Sequence, residues 1–539
     1  MPAAFVPWVS VRAAAAVAGL VAAIGVGATV RWTPPAAVAD LRPWPDALEY
    51  EEAGRRLAAG EGYLIVVEGD AFRPRYPPGL SLFLVPFLRA DDQSGAGIRG
   101  IFAASLMALL GTAAIGHVVG GWSGAIAATI VLALSPLHVR WSRAVMSDVP
   151  ASAAVVALAA AMLMALRRDG GTAAWFGIGL GIGSASAIRQ TVVLLALPAA
   201  ALLAAGHRGG RRRRVLAIVA GCLAGLLPTL ALNASLFGSP LRTGYDVWAP
   251  GLHFDVTYLW APPPHGEPRG NLSYYLTMIL GDGRAYPWPI AVLLGLSVVE
   301  GLRRGGAARS LTILGLGYVG ALVAAHGAFY WQADRFLVPA MPLLASLGAI
   351  AVGHAAPRMA RGLALALLCA GVLSTGPWDV VFAAPDRDQR IVESMRTIDR
   401  VVEPNAAILA ATNSYFFERE LRRGGDRVWI PVGRDTHRRA VALRRLRPLT
   451  GEAVRPYWVA PTVGQPVRPN DVRATIDGMI AEGRPVYLMH KRAFPVSTWP
   501  RLLRVLTRHY RLEPVAGVSS LILLRVLERP AHGTPPRRR

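Results

Sequence analysis

Lysine is almost absent from this 539-residue chain. Lys491 is the single one among 57 lysine and arginine residues, so arginine supplies the basic charge. Acidic residues are scarce too, 34 against those 57, and the formal net charge is +23. Such an excess invites a nucleic-acid reading. The arginines are not gathered on one soluble stretch, which excludes it. Cysteine is reduced to Cys222 and Cys369. Both fall in apolar runs, which argues against a structural disulfide. The C-terminal tail has no GxGxxG, no Walker A sequence and no Cys/His cluster with metal-ligand spacing. No internal repeat stands out.

What the chain does have is apolar length. It is 53% hydrophobic with a mean hydropathy of +0.38. That is too apolar for an ordinary soluble domain and predicts a membrane protein with a soluble part. A run of roughly 17–25 apolar residues crosses a bilayer as a helix. Eleven such runs are found: Trp8–Val30, Ile98–Val119, Trp122–His138, Val149–Leu166, Ala173–Ile188, Thr191–Gly206, Val215–Leu236, Tyr286–Leu302, Ser310–Gly327, Phe336–His354 and Gly362–Trp378. Trp8–Val30 is long and has no clear cleavage site, so it reads as an anchor rather than a signal peptide.

Arginine-rich short loops stay cytoplasmic. With the N-terminus inside and eleven spans, twelve arginines fall in inside loops (Arg167, Arg168, Arg208, Arg211 to Arg214, Arg303, Arg304, Arg309, Arg358 and Arg361), against one acid, Asp169. A ten-span count breaks that asymmetry. The expected architecture is therefore a polytopic α-helical membrane domain over residues 1–378 and an extracytoplasmic α/β domain over 379–539. The long polar segments then share the outer face, chiefly a first loop over 31–97 and a later one over 237–285. The bacterial plasma membrane is the expected location. Pro-rich Ala261–Arg269 reads as a mobile or extended loop. In the tail, Ala406–Ala411, Val428–Val432, Val486–Met489 and Ser520–Val526 read as strands. Arg387–Val402, Val472–Glu482 and Thr498–His509 read as helices. Pro535–Arg539 reads as a frayed basic end.

Several residues along the outer face have the chemistry of a site. Pro45 precedes Asp46, and Glu49 follows three residues later, the pattern of a capping box. Asp46 also lies over the stripe Tyr50, Ala53 and Leu57. A carboxylate leaning on the membrane surface is partly desolvated, which raises its pKa and basicity. Gly60 and Gly62 end that helix. Arg75–Tyr76–Pro77–Pro78–Gly79 leads into the apolar run Leu80–Leu88, too short to span and so re-entrant or interfacial. Asp148 opens the fourth span, where capping explains it as well as function does. Arg189–Gln190 interrupts two apolar runs, and Asp334–Arg335 opens the tenth span. Ionisable groups at such depth are functional candidates, and arginine's planar fork matches phosphate oxygens. His253, His265, Glu267 and His326 have only weak metal-ligand spacing.

Taken together, these pieces resemble the GT-C class of membrane glycosyltransferases. More closely they resemble family 39, the protein mannosyltransferase and aminoarabinose transferase group with its bacterial relatives. The residues that carry the resemblance are Asp46 with Tyr50, Ala53, Leu57, Gly60 and Tyr63; Tyr76–Pro77–Pro78–Gly79; Met146–Ser147–Asp148–Val149–Pro150; Arg189–Gln190; and Asp334–Arg335–Phe336–Leu337–Val338–Pro339 with Pro342. The resemblance spans roughly Trp8 to Trp378. It implies a polyprenyl-phosphate sugar donor, an outer acceptor and an inverting transfer. It makes Asp46 the general base. Asp148 would position the acceptor or a metal, and Arg189 and Arg335 would hold the lipid phosphate. Arg75, Tyr76 and Gln190 are further phosphate candidates. Several members of the group have an Asp-Glu pair where this chain has Asp46–Ala47. Glu49 is then the nearest substitute, and use of a divalent metal stays open. The second loop has no Asp-x-Asp. A transporter or lipid flippase, and a non-catalytic envelope assembly protein, are the rival readings.

Overall fold

The computed structural model describes residues 8–32, 46–67, 70–90, 96–205, 210–248, 253–354, 358–374, 398–410, 427–432, 468–491, 499–515 and 521–528. The chain begins with α1 (Trp8–Thr29). The segment α2 (Asp46–Ala58) follows, then the hairpin β1 (Ile65–Val67) and β2 (Asp70–Phe72), then α3 (Gly79–Ala90). Gly60 and Gly62 take positive φ just beyond α2, as expected for a glycine-ended helix. Leu80, Leu84 and Leu88 recur at helical spacing along α3 and are buried. Ser81 Oγ, one residue from Leu80, donates to the Tyr50 carbonyl at 3.0 Å and ties α3 to α2.

Next come α4 (Ile98–Ala133), α5 (Pro136–Trp141) and α6 (Asp148–Arg167). Two spans were expected within 98–138, and α4 contains the break between them. Gly121 sits at φ 63, ψ −157, a conformation that glycine adopts without strain. The two halves fold back so closely that a Cβ on Gly116 would meet the Gly124 carbonyl at 2.6 Å. The second half stops at Ala133, short of the expected His138. Ser135 then caps α5, its side chain accepting from the His138 N–H.

The helices α7 (Thr172–Ala185), α8 (Ala196–Ala205) and α9 (Arg211–Phe237) follow. Arg189 is extended, at φ −152 and ψ 119, and a 3₁₀ turn over Gln190–Leu195 precedes α8. A Cβ on Gly183 would fall 2.1 Å from the Cys222 carbonyl, so the glycines of α7 and α9 allow backbone-to-backbone contact.

The rest of the helical body is α10 (Gly244–Trp248), α11 (Asn271–Leu280), α12 (Trp288–Arg304), α13 (Gly306–Gly327), a 3₁₀ turn over Asp334–Ala340, α14 (Met341–His354) and α15 (Arg358–Leu373). α14 is buried on all sides from Met341 to Val352 and is the central helix of the bundle. Among the described residues, five helices are long and apolar enough to cross a membrane: Ile98–Ala133, Asp148–Arg167, Arg211–Phe237, Gly306–Gly327 and Asp334–His354.

The tail holds β3 (Ala407–Ala410), β4 (Val428–Pro431), α16 (Pro469–Ala481), β5 (Val486–Lys491), α17 (Trp499–Leu506), β6 (Tyr510–Pro514) and β7 (Leu521–Glu528). The strands form one sheet in the order β4-β3-β5-β7-β6, parallel across β4, β3 and β5 and antiparallel beyond. All four expected strands are present, and β6 is an additional edge strand. Side chains alternate with period two. Ala407, Leu409, Val486 and Leu488 share a core with Val472, Ile476 and Met479 of α16. Ile408, Ala410, Tyr487 and Met489 face the other way and join the apolar cluster of the helical body. Only the end of the expected Arg387–Val402 helix is described. The 378/379 boundary and Pro535–Arg539 lie outside the described residues.

Candidate active site

Three segments, far apart in sequence, meet around Asp46. α2 contributes Asp46 and Glu49, the turn before α3 contributes Arg75 and Tyr76, and the 3₁₀ turn before α14 contributes Arg335. Asp46 Oδ1 lies 3.1 Å from Arg75 Nη2, and Asp46 Oδ2 lies 3.1 Å from Arg335 Nη1. The Arg75 backbone N–H donates to Glu49 Oε1, and Arg75 Nη2 stands 3.4 Å from Glu49 Oε2. Glu49 is thus turned toward Arg75 instead of closing the expected capping box.

The electrostatics overturn the expected basicity of Asp46. Burial alone raises a carboxylate's pKa, but here Arg75 and Arg335 outweigh it and hold Asp46 below its ordinary value. Glu49 behaves in the opposite way. Its burial exceeds what Arg75 returns, and it is pushed up to about 7.

A second acid–arginine pair stands beside the first. Asp148, at the start of α6, is 2.7 Å from Arg189 Nη1. Ser147 Oγ joins the two centres, accepting from Tyr50 Oη and Arg189 Nη1, each at 3.4 Å. Arg335 lies over the Trp141 and Phe336 rings, both at 5.8 Å, and Arg189 lies over Phe336 at 5.6 Å. Asp334 faces the other way, accepting from Arg140 at 3.1 Å and Trp141 Nε1 at 3.3 Å. That pairing fixes the turn from which Arg335 reaches Asp46.

Tyrosines line the floor. Tyr76 stacks on Tyr50 with ring centroids 4.4 Å apart and meets Tyr245 edge-on at 5.6 Å. Tyr63 Oη donates to the Tyr76 carbonyl at 2.6 Å. Next to them lies a small pocket open to the surface. Arg75, Tyr76, Gln190 and Asn233 give it a polar lip, and Leu232 and Leu236 of α9 give it an apolar wall.

Every site residue expected from the sequence is brought to this region: Asp46, Glu49, Arg75, Tyr76, Asp148, Arg189, Gln190 and Arg335. Sequence reasoning missed Tyr245 and Asn233. Tyr245 sits in a short polar turn with no periodicity. Asn233 is a polar residue inside an apolar span, a signal that could have flagged it. Among the described residues, no group of three or more His, Cys, Asp or Glu converges as a metal site would require. The carboxylates here fit arginine partners rather than a divalent ion. His253, His265 and His326 are engaged with aromatic rings.

Residues 77–232 match the family model described as dolichyl-phosphate-mannose-protein mannosyltransferase. No curated protein matches the chain. Among solved structures, apo ArnT from Cupriavidus metallidurans aligns at TM-score 0.62 and 16% identity, over 95% of this chain and 98% of that one. The same protein bound to undecaprenyl phosphate aligns at 0.57 and 15%, over 97% and 98%. The Archaeoglobus fulgidus oligosaccharyltransferase tethered to an acceptor peptide aligns at 0.58 and 10%, over 96% of this chain and 74% of that one. At these identities the likeness is one of fold. In that fold and in the family model it matches, the chain resembles the GT-C class of membrane glycosyltransferases.

Proposed function

We propose that this protein is an inverting glycosyltransferase that moves one sugar from a polyprenyl-phosphate donor to an acceptor hydroxyl on the outer face of the membrane. The observation that carries this reading is Asp46 held between Arg75 and Arg335, with Arg75 also lining a neighbouring pocket that has a polar lip and an apolar wall. Such a pocket suits a phosphate joined to a hydrocarbon chain.

The chemistry follows from the charges. The donor phosphodiester carries one negative charge and leaves as a monoester with a second. Arginines already fixed beside it stabilise that developing charge. The same arginines hold Asp46 in the free protein. As they turn to the phosphate, Asp46 loses its counterions and becomes a stronger base. It then takes the proton from the acceptor hydroxyl. The acceptor oxygen bonds to the anomeric carbon from the face opposite the phosphate. The carbon–oxygen bond to phosphate breaks, and the phosphate departs with the electron pair. Arg189, held by Asp148, is the third cation available to the phosphate. Gln190 and Tyr76 line its approach.

On this reading residues 1–378 form the membrane domain, residues 379–539 lie outside the cell, and the membrane is the bacterial plasma membrane. The test of function is transfer from a polyprenyl-phosphate sugar by purified protein. Asp46→Asn is expected to abolish it, and unchanged turnover refutes the assignment. The orientation is tested with single cysteines at Leu241 and Arg212, near opposite ends of α9, with Cys222 and Cys369 replaced by serine. An impermeant outer reagent is expected to label position 241 and spare 212.

A further inference from the structure

Two outer loops beyond the site are joined into one surface. Phe254 pairs with Phe329, and His265 with Trp331, through isolated β-bridges. Asp255 N–H donates to the Ala328 carbonyl at 2.7 Å, and Gln332 N–H to the His265 carbonyl at 2.9 Å. The Gln332 side chain fixes the C-terminal end of the Pro-rich segment, donating to the Arg269 carbonyl at 2.6 Å and accepting from Glu267 N–H at 2.7 Å. The segment expected as a mobile or extended loop is therefore pinned from His265 to Arg269. Asn271 Nδ2 adds bonds to the carbonyls of Gly327 at 2.9 Å and Phe329 at 2.8 Å.

This scaffold presents aromatic rings in an unbroken series. Phe336, which lies under Arg189 and Arg335, touches Phe329 at 5.8 Å. Phe329 meets Tyr330 at 5.0 Å. His265 contacts Tyr330 at 5.4 Å and Trp331 at 5.0 Å, and His253 contacts Tyr330 at 5.4 Å. Trp331 is 47% exposed and Trp260, on the loop that carries His265, is 73% exposed. Arg75 is near enough to Tyr330 to act on its phenol. The series thus starts at the reactive carboxylate's arginines and ends in open aromatic faces.

We propose that this shelf is the acceptor subsite and that the acceptor is a saccharide, whose rings stack on Trp331 and His265 while hydroxyls meet the polar tip of Tyr330 and the His253–Tyr258 pair, joined at 2.8 Å. The inference rests on the glycosyltransferase reading above. Three observations select a sugar. Flat aromatic faces with hydrogen-bonding edges match a pyranose, which has apolar C–H faces and a hydroxyl rim. The neighbouring cations are already neutralised: Arg269 is 2.6 Å from Glu267, and Arg284 is 2.6 Å from Asp282 and 3.1 Å from Glu267. A neutral polar partner fits that balance better than an acidic one. The backbone pairing fixes the rings in place, so stacking costs little ordering. An aromatic belt at the lipid headgroups is the competing role for exposed Trp and Tyr. Asp255, Glu267 and two histidines on the first of these loops, with Asp282 in the adjoining turn after α11, favour water over lipid.

The test uses full-length protein in detergent, with mannotetraose, maltotetraose and chitotetraose as soluble probes in saturation-transfer NMR. At least one probe is expected to bind. Trp331→Ala and His265→Ala are each expected to weaken that binding ten-fold or more, Trp331→Phe to restore most of it, and thermal unfolding to stay unchanged. Undecaprenyl phosphate binding is expected to change less than two-fold in all three variants. No binding by the unmodified protein, or full binding by Trp331→Ala, overturns the saccharide shelf. So does strong quenching by brominated lipids of a bimane placed at Trp331→Cys in liposomes, which assigns the surface to the bilayer. If a sugar binds through Trp331 while undecaprenyl phosphate does not bind at all, the shelf stands and the polyprenyl-phosphate donor falls.

Discussion

Asp46 and Asp148 are neighbouring carboxylates with opposite surroundings. Asp46 is divided between two arginines from separate loops, and its side chain keeps 13% exposure. Asp148 faces one arginine at 2.7 Å, and its side chain is sealed at 0%. Two arginines that share a carboxylate with an open edge can turn from it to a phosphate. A carboxylate sealed against a single arginine cannot exchange it without leaving a bare charge inside the protein. On the proposed mechanism the difference separates a reacting group from a positioning one, although both are aspartates beside arginine in one site.

Substituting each aspartate is the sharpest way to break that contrast. Asp46→Asn is expected to lower transfer by ~10²–10⁴-fold, the range for loss of a positioned base. Its melting temperature should fall less than that of Asp148→Asn, because Arg75 keeps Glu49 as a partner and Arg335, 23% exposed, keeps some contact with water. Asp148→Asn is expected to do the reverse in kind. It leaves Arg189 unpaired in a buried setting, at a cost of ~3–5 kcal/mol. The double change Asp148→Asn with Arg189→Met should recover much of that stability without recovering activity. Equal melting losses in the two single variants would erase the distinction.

The pH dependence of turnover sharpens the same comparison. In the free protein Arg75 and Arg335 hold Asp46 below the ordinary carboxylate range, after overcoming burial. The acid limb of kcat/KM, which reports free enzyme, should therefore lie at low pH. In the donor complex those arginines are occupied by phosphate. The acid limb of kcat is expected at higher pH than that of kcat/KM. Coincident limbs would mean that Asp46 keeps its arginines through the reaction.

What the sequence could and could not convey follows from range. The α2 helix, the glycines after it and the strands of the tail rest on local signals and appear where expected, although α2 is buried all round from Ala47 to Gly54 rather than along one stripe. β6 was missed because YRLEP is mostly polar, ends in proline and lies at the sheet edge, where one side stays solvated. The gathering of Asp46, Asp148, Arg189 and Arg335 on one face was legible from the arginine asymmetry of the loops. The partners themselves were not. Glu49 meets Arg75 from 26 residues away and Asp46 meets Arg335 from 289. Reading Asp46 as a desolvated base had the burial right and the counterions missing, so the direction of its pKa came out reversed. The pinning of His265 to Arg269 likewise depends on Gln332, a residue no local pattern connects to it.

Glu49 gives the mildest test of the site's charge balance. It is buried beside Asp46 and Arg75, and burial pushes it up to about 7. Its folded-state value therefore stands above the ordinary 4.5, so the folded chain holds that proton more tightly than the unfolded chain does. The stability this contributes is complete below about 4.5 and is lost as pH rises through about 7. Glu49→Gln removes the titration while keeping an oxygen for the Arg75 backbone N–H. Across that window the variant's melting temperature should vary less than the unmodified protein's, with a difference on the order of 1–3 kcal/mol. Turnover should fall only a few-fold, because Asp46 keeps both arginines. A loss as deep as that of Asp46→Asn would instead make Glu49 a reacting carboxylate, and the two acids would have to be treated as one coupled base.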